Sequence, residues 1–470
     1  MELGAASLAS SHAPSHAPSH EAAVRELLAR GPLSSKALQQ RLALSQPTVS
    51  RALAALAARG DELVRLGSGR SSFYSLRDPW PELPRLPVRR VDEAGRVHEL
   101  GLLVPIKPAG FVLQGADGTA RLSDGLPWWL ADLRPQGFLG RGFAQQHAAA
   151  LGLPAAVHTW ADRHVLRALA AQGFDGVGNL LVGDTARDLF LRTAVPAALP
   201  RAGRGAAYAR RAAQALAGDV PGSSAGGEQP KFTAYAATAS GPAHVLVKFS
   251  LPEANPLTER WRDLLLAEHL ALQVLHDGGL AAARSELVEQ GTQRFLQLER
   301  FDRIGALGRR ALHSLGSLDD EFTGDRSAPW PVAVERLVQQ RLVEPPALPA
   351  VQQLYAFGVL IANTDMHMGN LSFFSAPDQV CSLAPAYDML PMALAPTAAG
   401  ALRDALPPLQ LPASVPLATW HPALALAREW CDRLQAASTA GRLSASFEPA
   451  FVALHDRLVQ AAAQVARIAA

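Results

Sequence analysis

The feature that most constrains the fold is a change of texture along the chain. From about residue 230 to 300 strand signals dominate, in "KFTAYAAT", "HVLVKFS", "ELVEQG" and "RFLQLERF". From about 330 onward the sequence is overwhelmingly helical. A β-rich segment followed by a helical one implies an α+β chain with two lobes and a cleft between them. Within the helical part, the apolar run "LYAFGVLIA" leads straight into "NTDMHMGN", Asn363 to Asn370. Polar residues packed that densely behind a buried helix form either a turn or a site.

The chain has 470 residues, two to four units by size, and 49% of them are hydrophobic, ample for substantial cores. A net charge of +2 makes local charge matter more than the total. Cys381 and Cys431, the two cysteines, have no metal-ligand spacing and indicate neither a disulfide scaffold nor a zinc site. No apolar stretch with signal-peptide flanks precedes Arg25, and Arg, Asp or Pro interrupts each Ala/Leu-rich stretch before it reaches a spanning length. A cytoplasmic protein with no membrane contact is expected. Only four of 44 basic residues are lysines, Lys36, Lys107, Lys231 and Lys248. Where a lysine is kept, a compact ammonium rather than a guanidinium fork is the chemistry to look for.

Residues 1–19, with the repeat "SHAPSHAPSH", read as a disordered tail. Residues 20–77 read as three helices and a hairpin, a winged helix-turn-helix. The second helix starts at Ser34 or Ser35. The third has Ser45 as its N-cap, Pro47 in its first turn and Gly60 beyond its end. This segment carries nine Lys/Arg against four Asp/Glu, a local excess of +5. In that motif the third helix enters the major groove of duplex DNA, so Gln46, Thr48, Ser50 and Arg51 are candidates for base contacts and Arg65 and Arg70 for phosphates. A module for protein contact or dimerisation is the alternative. The prolines and charges of 78–97 read as a linker. Residues 98–200 mix strand and helix signals around "LPWWLADLRPQGFLGR", whose paired tryptophans suit an interlobe core. Residues 201–302 then make the strand-rich lobe and 303–470 the helical one.

Asp365 and Asn370 stand five apart, and Asp388 of "AYDML" follows eighteen residues after Asn370. Eukaryotic-type kinases use such a set for phosphoryl transfer: the first Asp handles the substrate hydroxyl proton, while the Asn and second Asp hold Mg²⁺ against the phosphates of ATP. Lys248 near the end of its strand can meet phosphates, and a glutamate in the next helix can clamp it; Glu268 and Glu259 are both placed to do so. "FLQLERFDR" lies where a hinge would meet adenine, with the backbone of Glu299 and Phe301 as candidates. "PGSSAGGEQPKF" lacks the P-loop spacing, yet its small residues Ser223, Ser224, Ala225, Gly226 and Gly227 allow amides to approach phosphates.

In "SSAGGEQPKF", "ERFDR", "NTDMHMGNLSF" and "PAYDML" the chain resembles the HipA-like serine/threonine kinases, toxins of bacterial toxin–antitoxin systems. The resemblance covers roughly residues 100–440 and implies a protein-kinase-like fold. It implies Asp365 as catalytic base, Asn370 and Asp388 as Mg²⁺ ligands and Lys248 as a phosphate contact. Lys231 and His367, which lie in the matching segments, become further ATP contacts. It also implies autophosphorylation of a loop serine, Ser223 or Ser224, and a protein substrate such as a translation factor or aminoacyl-tRNA synthetase. Met366 departs from the family, where that position is usually basic. The fused winged helix resembles the YjjJ-type branch and suits self-regulation without a separate antitoxin, with a homodimer as one arrangement. A nucleotide-sensing transcriptional regulator and a small-molecule phosphotransferase remain alternatives.

Overall fold

The computed structural model describes residues 19–60, 62–67, 72–83, 85–218, 229–375, 380–397 and 399–469. The chain forms two compact units, Met1–Arg85 with Gly101–Gly125 and Leu86–Leu100 with Leu126–Ala470.

In the first unit, α1 (His20–Leu28), α2 (Ser35–Leu42) and α3 (Gln46–Ala58) each begin after a serine. The hydroxyls of Ser19, Ser34 and Ser45 accept from the amides three residues on, at 3.2, 3.2 and 3.4 Å. Each thereby satisfies a donor that the helix start leaves unpaired. Past α3 the chain turns at Gly60, where φ is +98°, a conformation glycine adopts without strain. Val24, Leu28, Leu38, Val49, Leu53 and Leu56 meet in one core that Leu76 closes. Strands β1 (Leu33–Ser34), β2 (Leu63–Leu66) and β3 (Phe73–Leu76) form an antiparallel sheet in the order β1-β3-β2, with Leu33 opposite Tyr74 and Leu66 opposite Phe73.

The chain leaves this unit for β4 (Pro87–Val91) and returns along β5 (Val97–Pro105). Here the expected linker over 78–97 is corrected. Strand β4 pairs antiparallel with β8 (Leu180–Val182), and Val88 and Val91 are fully buried. Arg89 is buried between Glu99 at 2.5 Å and Asp184 at 2.9 Å. Pro87 is tolerated because it is the first residue of the strand, where a missing N–H costs least. In the first unit, Gly101 to Pro105 of β5 pair with β6 (Phe111–Gly115), which pairs with β7 (Ala120–Ser123).

The second unit opens with α4 (Trp128–Ala131), α5 (Gly137–His147), α6 (Asp162–Gln172), β8, α7 (Asp184–Arg192) and α8 (Arg204–Ala217). Trp128 packs edge-on to His313 at 4.8 Å and Phe322 at 5.4 Å, as core rather than as a ligand platform. A four-stranded antiparallel sheet follows in the order β11-β12-β10-β9, built from β9 (Lys231–Thr238), β10 (Gly241–Phe249), β11 (Ser285–Gln290) and β12 (Gln293–Glu299). Tyr208 of α8 seals one face of it with Phe232, Phe249 and Phe295. Helix α9 (Pro256–Asp277) is capped by Asn255, whose side chain accepts from Leu257 and Thr258 at 3.0 and 3.1 Å. It is buried nearly all round, at Leu264, Leu265, Leu266, Leu270 and Leu275.

After the short strands β13 (Arg303–Ile304), β14 (Gly308–Arg309) and β15 (Ala311–Ser314), helices take over: α10 (Leu315–Phe322), α11 (Trp330–Gln339) and α12 (Ala347–Leu360). Strands β16 (Ser372–Ser375) and β17 (Ser382–Leu383) join β15 in a small sheet, and α13 (Leu417–Thr439) and α14 (Glu448–Ala469) close the unit. One large core joins α9 to this helical part through Trp330, Phe357, Trp430 and Leu454. No helix among the described residues is long and apolar enough to cross a membrane.

Candidate active site

Within the second unit, the four-stranded sheet and the helical part enclose a cavity of about 430 Å³, a size common for small-molecule sites. Lys231, Lys248, Glu299, Phe301, His367, Asn370 and Asp388 all line it. The antiparallel register places Lys231 directly opposite Lys248, and both are buried, at 3% and 2% exposure. Like charges facing each other across a sheet repel, so they persist only where negative charge answers them.

That charge comes first from α9 and from the loop after β17. Lys248 Nζ donates to both carboxylate oxygens of Glu268 at 2.7 and 2.8 Å, and to Asp388 Oδ1. Of the two glutamates left open by the sequence, Glu268 is therefore the partner; Glu259 makes no ion pair with Lys248. Burial acts to lower the Lys248 pKa, but Asp388 and Glu268 outweigh it and hold the ammonium charged, above its ordinary value. For Asp388, burial acts upward and the two lysines, Lys248 first, outweigh it, keeping the carboxylate ionised. Glu268 is pushed up, chiefly by burial.

The loop between α12 and β16 is fixed by its own polar side chains. Asn363 Nδ2 donates to the Asp388 carbonyl at 3.1 Å, and its Oδ1 accepts from the Asp365 amide at 3.1 Å. Asn370 Nδ2 donates to the Asp365 carbonyl at 2.8 Å, leaving Oδ1 as the end able to ligate. His367 Nδ1 accepts from the Gly369 amide at 3.0 Å, and Trp330 Nε1 donates to the His367 carbonyl at 3.1 Å. Tyr387 hydroxyl ties the two loops together, donating to the Gly369 carbonyl at 2.8 Å beside Ser372 at 2.7 Å. Asp388 itself adopts a left-handed backbone, φ +54°, which a non-glycine residue keeps only where its surroundings enforce it. Asp365 is exposed and does not line the cavity; partial burial first, with Asp388 adding, raises its carboxyl pKa although His367 opposes.

The hinge expectation is narrowed. The Glu299 amide already donates to the Arg284 carbonyl at 2.9 Å and the Arg300 amide to His244 at 2.9 Å. The Glu299 side chain accepts from Ser240 at 2.7 Å. Phe301, packed against Tyr387 at 5.8 Å between ring centroids, stands beyond both. The small residues Ser223, Ser224, Ala225, Gly226 and Gly227 lie outside the described residues, as does Arg70.

Asp132 is a cavity residue that the sequence does not mark. It lines the cavity and accepts from the amide and the hydroxyl of Ser314, each at 2.7 Å. It follows the conspicuous tryptophan pair, but nothing local in "WWLADL" marks it as facing a cleft. In the first unit, Gln46, Ser50 and Arg51 are exposed on α3, while the Thr48 hydroxyl is engaged by Ser45 at 2.9 Å. Arg65 donates to Ser72 Oγ at 3.0 and 3.2 Å.

Comparison with known proteins identifies the family. Residues 82–191 match the family model for the YjjJ-like toxin, middle domain, and residues 223–464 that for the HipA-like C-terminal domain. The chain is 42% identical over 445 residues to Toxin YjjJ of Escherichia coli (strain K12), covering 94% of this chain and 98% of that protein. The chain belongs to the HipA-like toxin family, in its YjjJ-like branch. Among solved structures, the HipA of Shewanella oneidensis MR-1, in a complex with HipB and its operator DNA, aligns with a TM-score of 0.50 at 18% identity. That alignment covers 81% of this chain and 97% of the other, and shows the shared HipA-like mixed helix-and-sheet fold.

Proposed function

We propose that the chain is an ATP- and Mg²⁺-dependent protein serine/threonine kinase with a DNA-binding winged helix at its N-terminus. The observation that carries this reading is the charge arrangement in the cavity. Two buried lysines face each other across β9 and β10, one clamped by Glu268, with Asp388 and Asn370 along the same wall. Such a pair of ammoniums suits a polyanion, and the phosphates of ATP supply one. Asp388 and Asn370 offer hard oxygen donors from two separate segments. This suits Mg²⁺, which takes one or two protein ligands and completes its shell with water and phosphate oxygens. When bound, Mg²⁺ neutralises phosphate charge.

The chain's own residues do the rest. Glu268 keeps Lys248 charged and fixed, and Asn370 holds the Asp365 backbone. Asp365, exposed where a protein hydroxyl can reach it, takes the substrate proton. A carboxyl raised by its surroundings is a better base than an ordinary aspartate. In the first unit, Gln46, Ser50 and Arg51 project from α3 in the position of a recognition helix, and Arg65 stands on the strand that leads into the wing. DNA binding would let the protein regulate its own expression. The target is proposed to be a translation-related protein and, in the loop that includes Ser223 and Ser224, the chain itself.

Incubation with labelled ATP and Mg²⁺, followed by intact mass and peptide mapping, tests the kinase reading. Phosphate on this chain or on an added protein, lost in Asp365→Asn, is the expected outcome. Nucleotide binding with no transfer to any protein would leave the sensor alternative in its place.

A further inference from the structure

A second cavity in the same unit, of about 250 Å³, lies among β9, β14 and the end of α7. Its walls include Phe174, Phe190, Tyr235 and three guanidinium groups, Arg211, Arg303 and Arg309, against one carboxylate, Asp175. None of these three arginines lines the nucleotide cavity.

Among the described residues, the ion pairs beside this cavity leave Arg309 and Arg211 without a carboxylate partner. Arg303 donates to Asp175 at 2.9 Å and to Asp302 at 2.7 Å, and Arg300 donates to Asp302 at 2.9 Å. Both carboxylates are thus taken up by Arg300 and Arg303. Arg309, only 5% exposed, donates from Nη2 to the Phe174 carbonyl at 2.5 Å and lies over the Phe190 ring at 4.7 Å. Its Nη1 is buried and meets no hydrogen-bond partner among the described residues. Burial, followed by repulsion from Arg303, brings its pKa down to about 9, while Asp175 only partly opposes. A buried guanidinium without a carboxylate of its own is costly, and a bound anion relieves that cost.

We propose that this cavity is a second ligand site, one that takes a small oxyanion, a phosphate or carboxylate group, through Arg309 and Arg211. The volume exceeds what a single water needs several-fold, since a water occupies about 30 Å³. An anion with a small organic part therefore fits, its apolar portion against Phe174 and Phe190. Recognition by arginine favours the planar and tetrahedral oxyanions that accept two N–H groups at once. The proposal does not depend on kinase activity, because neither Arg309 nor Arg211 lines the larger cavity.

The test is thermal unfolding of the full chain in inorganic phosphate and, separately, in succinate, at ionic strength held constant with chloride. A saturable rise in Tm with one of the two anions is expected, and which one responds identifies the source class. The rise should be absent in Arg309→Met, and its midpoint should move at least tenfold higher in Arg211→Leu. No saturable rise with either anion, or an equal rise in Arg309→Met, would overturn the proposal. Should Arg309→Met not fold, an unchanged midpoint in Arg211→Leu, a half-buried position on α8, overturns it equally.

Discussion

Lys248 sits between two carboxylates, and removing either has a different consequence. Glu268 is fully buried, so Glu268→Gln leaves a buried ammonium with only Asp388 beside it. Breaking one side of a buried pair costs about 3–5 kcal/mol, and the remaining carboxylate keeps this case near about 3. The double variant Lys248→Met/Glu268→Leu should recover part of that loss, because the two most deeply buried charges leave together and only Asp388 loses a partner; denaturant titration of the single and double variants measures the difference. A double variant as unstable as the sum of its singles would mean that packing, not charge, dominates there. Chemistry separates the two aspartates in the same way. Asp365→Asn should abolish phosphotransfer while leaving ATP-dependent thermal stabilisation nearly intact, since Asp365 does not line the cavity that holds Lys248 and Asp388. Asp388→Ala should weaken that stabilisation and remove its dependence on Mg²⁺. Equal stabilisation in both variants, with and without the metal, would take the ligand role away from Asp388.

At the scale of elements, α3 and the hairpin β2–β3 carry the DNA prediction. Binding of duplex DNA should fall steeply with salt, with a slope in log K against log salt of about −0.9 for each phosphate neutralised. Arg51→Ala should relax sequence preference, whereas Arg65→Ala should weaken all sequences alike, as gel shifts on matched and scrambled duplexes would show. Arg25 is already paired with Glu62, Arg30 with Glu26 and Arg59 with Glu21, so the slope should be smaller than nine contacts would give. No binding at low salt would instead favour a protein-contact module. Helix α3 was legible because its limits are local chemistry: a serine cap, a proline in the first turn and a glycine after the end. Strand β4 was not, because four prolines within ten residues read as a linker, while its partner β8 lies about ninety residues away. The cleft followed the same rule. Lys248, Asn370 and Asp388 announce themselves by type and spacing, but the choice of Glu268 over Glu259 is settled by how α9 packs. Asp132 faces the cavity through a long-range bond to Ser314 that no local pattern encodes.

For the molecule as a whole, buried and half-buried histidines should shape the response to acid. In the second unit His147, His244, His269 and His313 all have pKa values below the ordinary imidazole value, each chiefly through burial. His269 goes furthest, to about 4, where burial acts first and Arg442 and Arg294 add to it. Between about pH 6.5 and pH 4 the unfolded chain therefore takes up a proton at this position that the folded chain refuses. Stability must rise with pH through that window, be fully present above it and be lost as the pH falls toward 4. A shift from 6.5 to about 4 bounds the His269 share at about 3 kcal/mol, and the other three push in the same direction. His269 Nδ1 meets Ser285 Oγ at 2.8 Å, an interaction that a neutral amide can also make. His269→Gln should therefore change stability little at pH 7.5 and make the chain relatively more stable than the parent at pH 4.5, as urea titrations at the two pH values would read. Parallel pH dependence in parent and variant would shift the cause of acid lability to the carboxylates instead. Among these Asp302 is the leading candidate, since burial acts upward on it but Arg300 and Arg303 hold it well below the usual carboxylate range. Its stabilisation is present above about pH 4 and fails only in stronger acid, so the two contributions occupy separate parts of the titration.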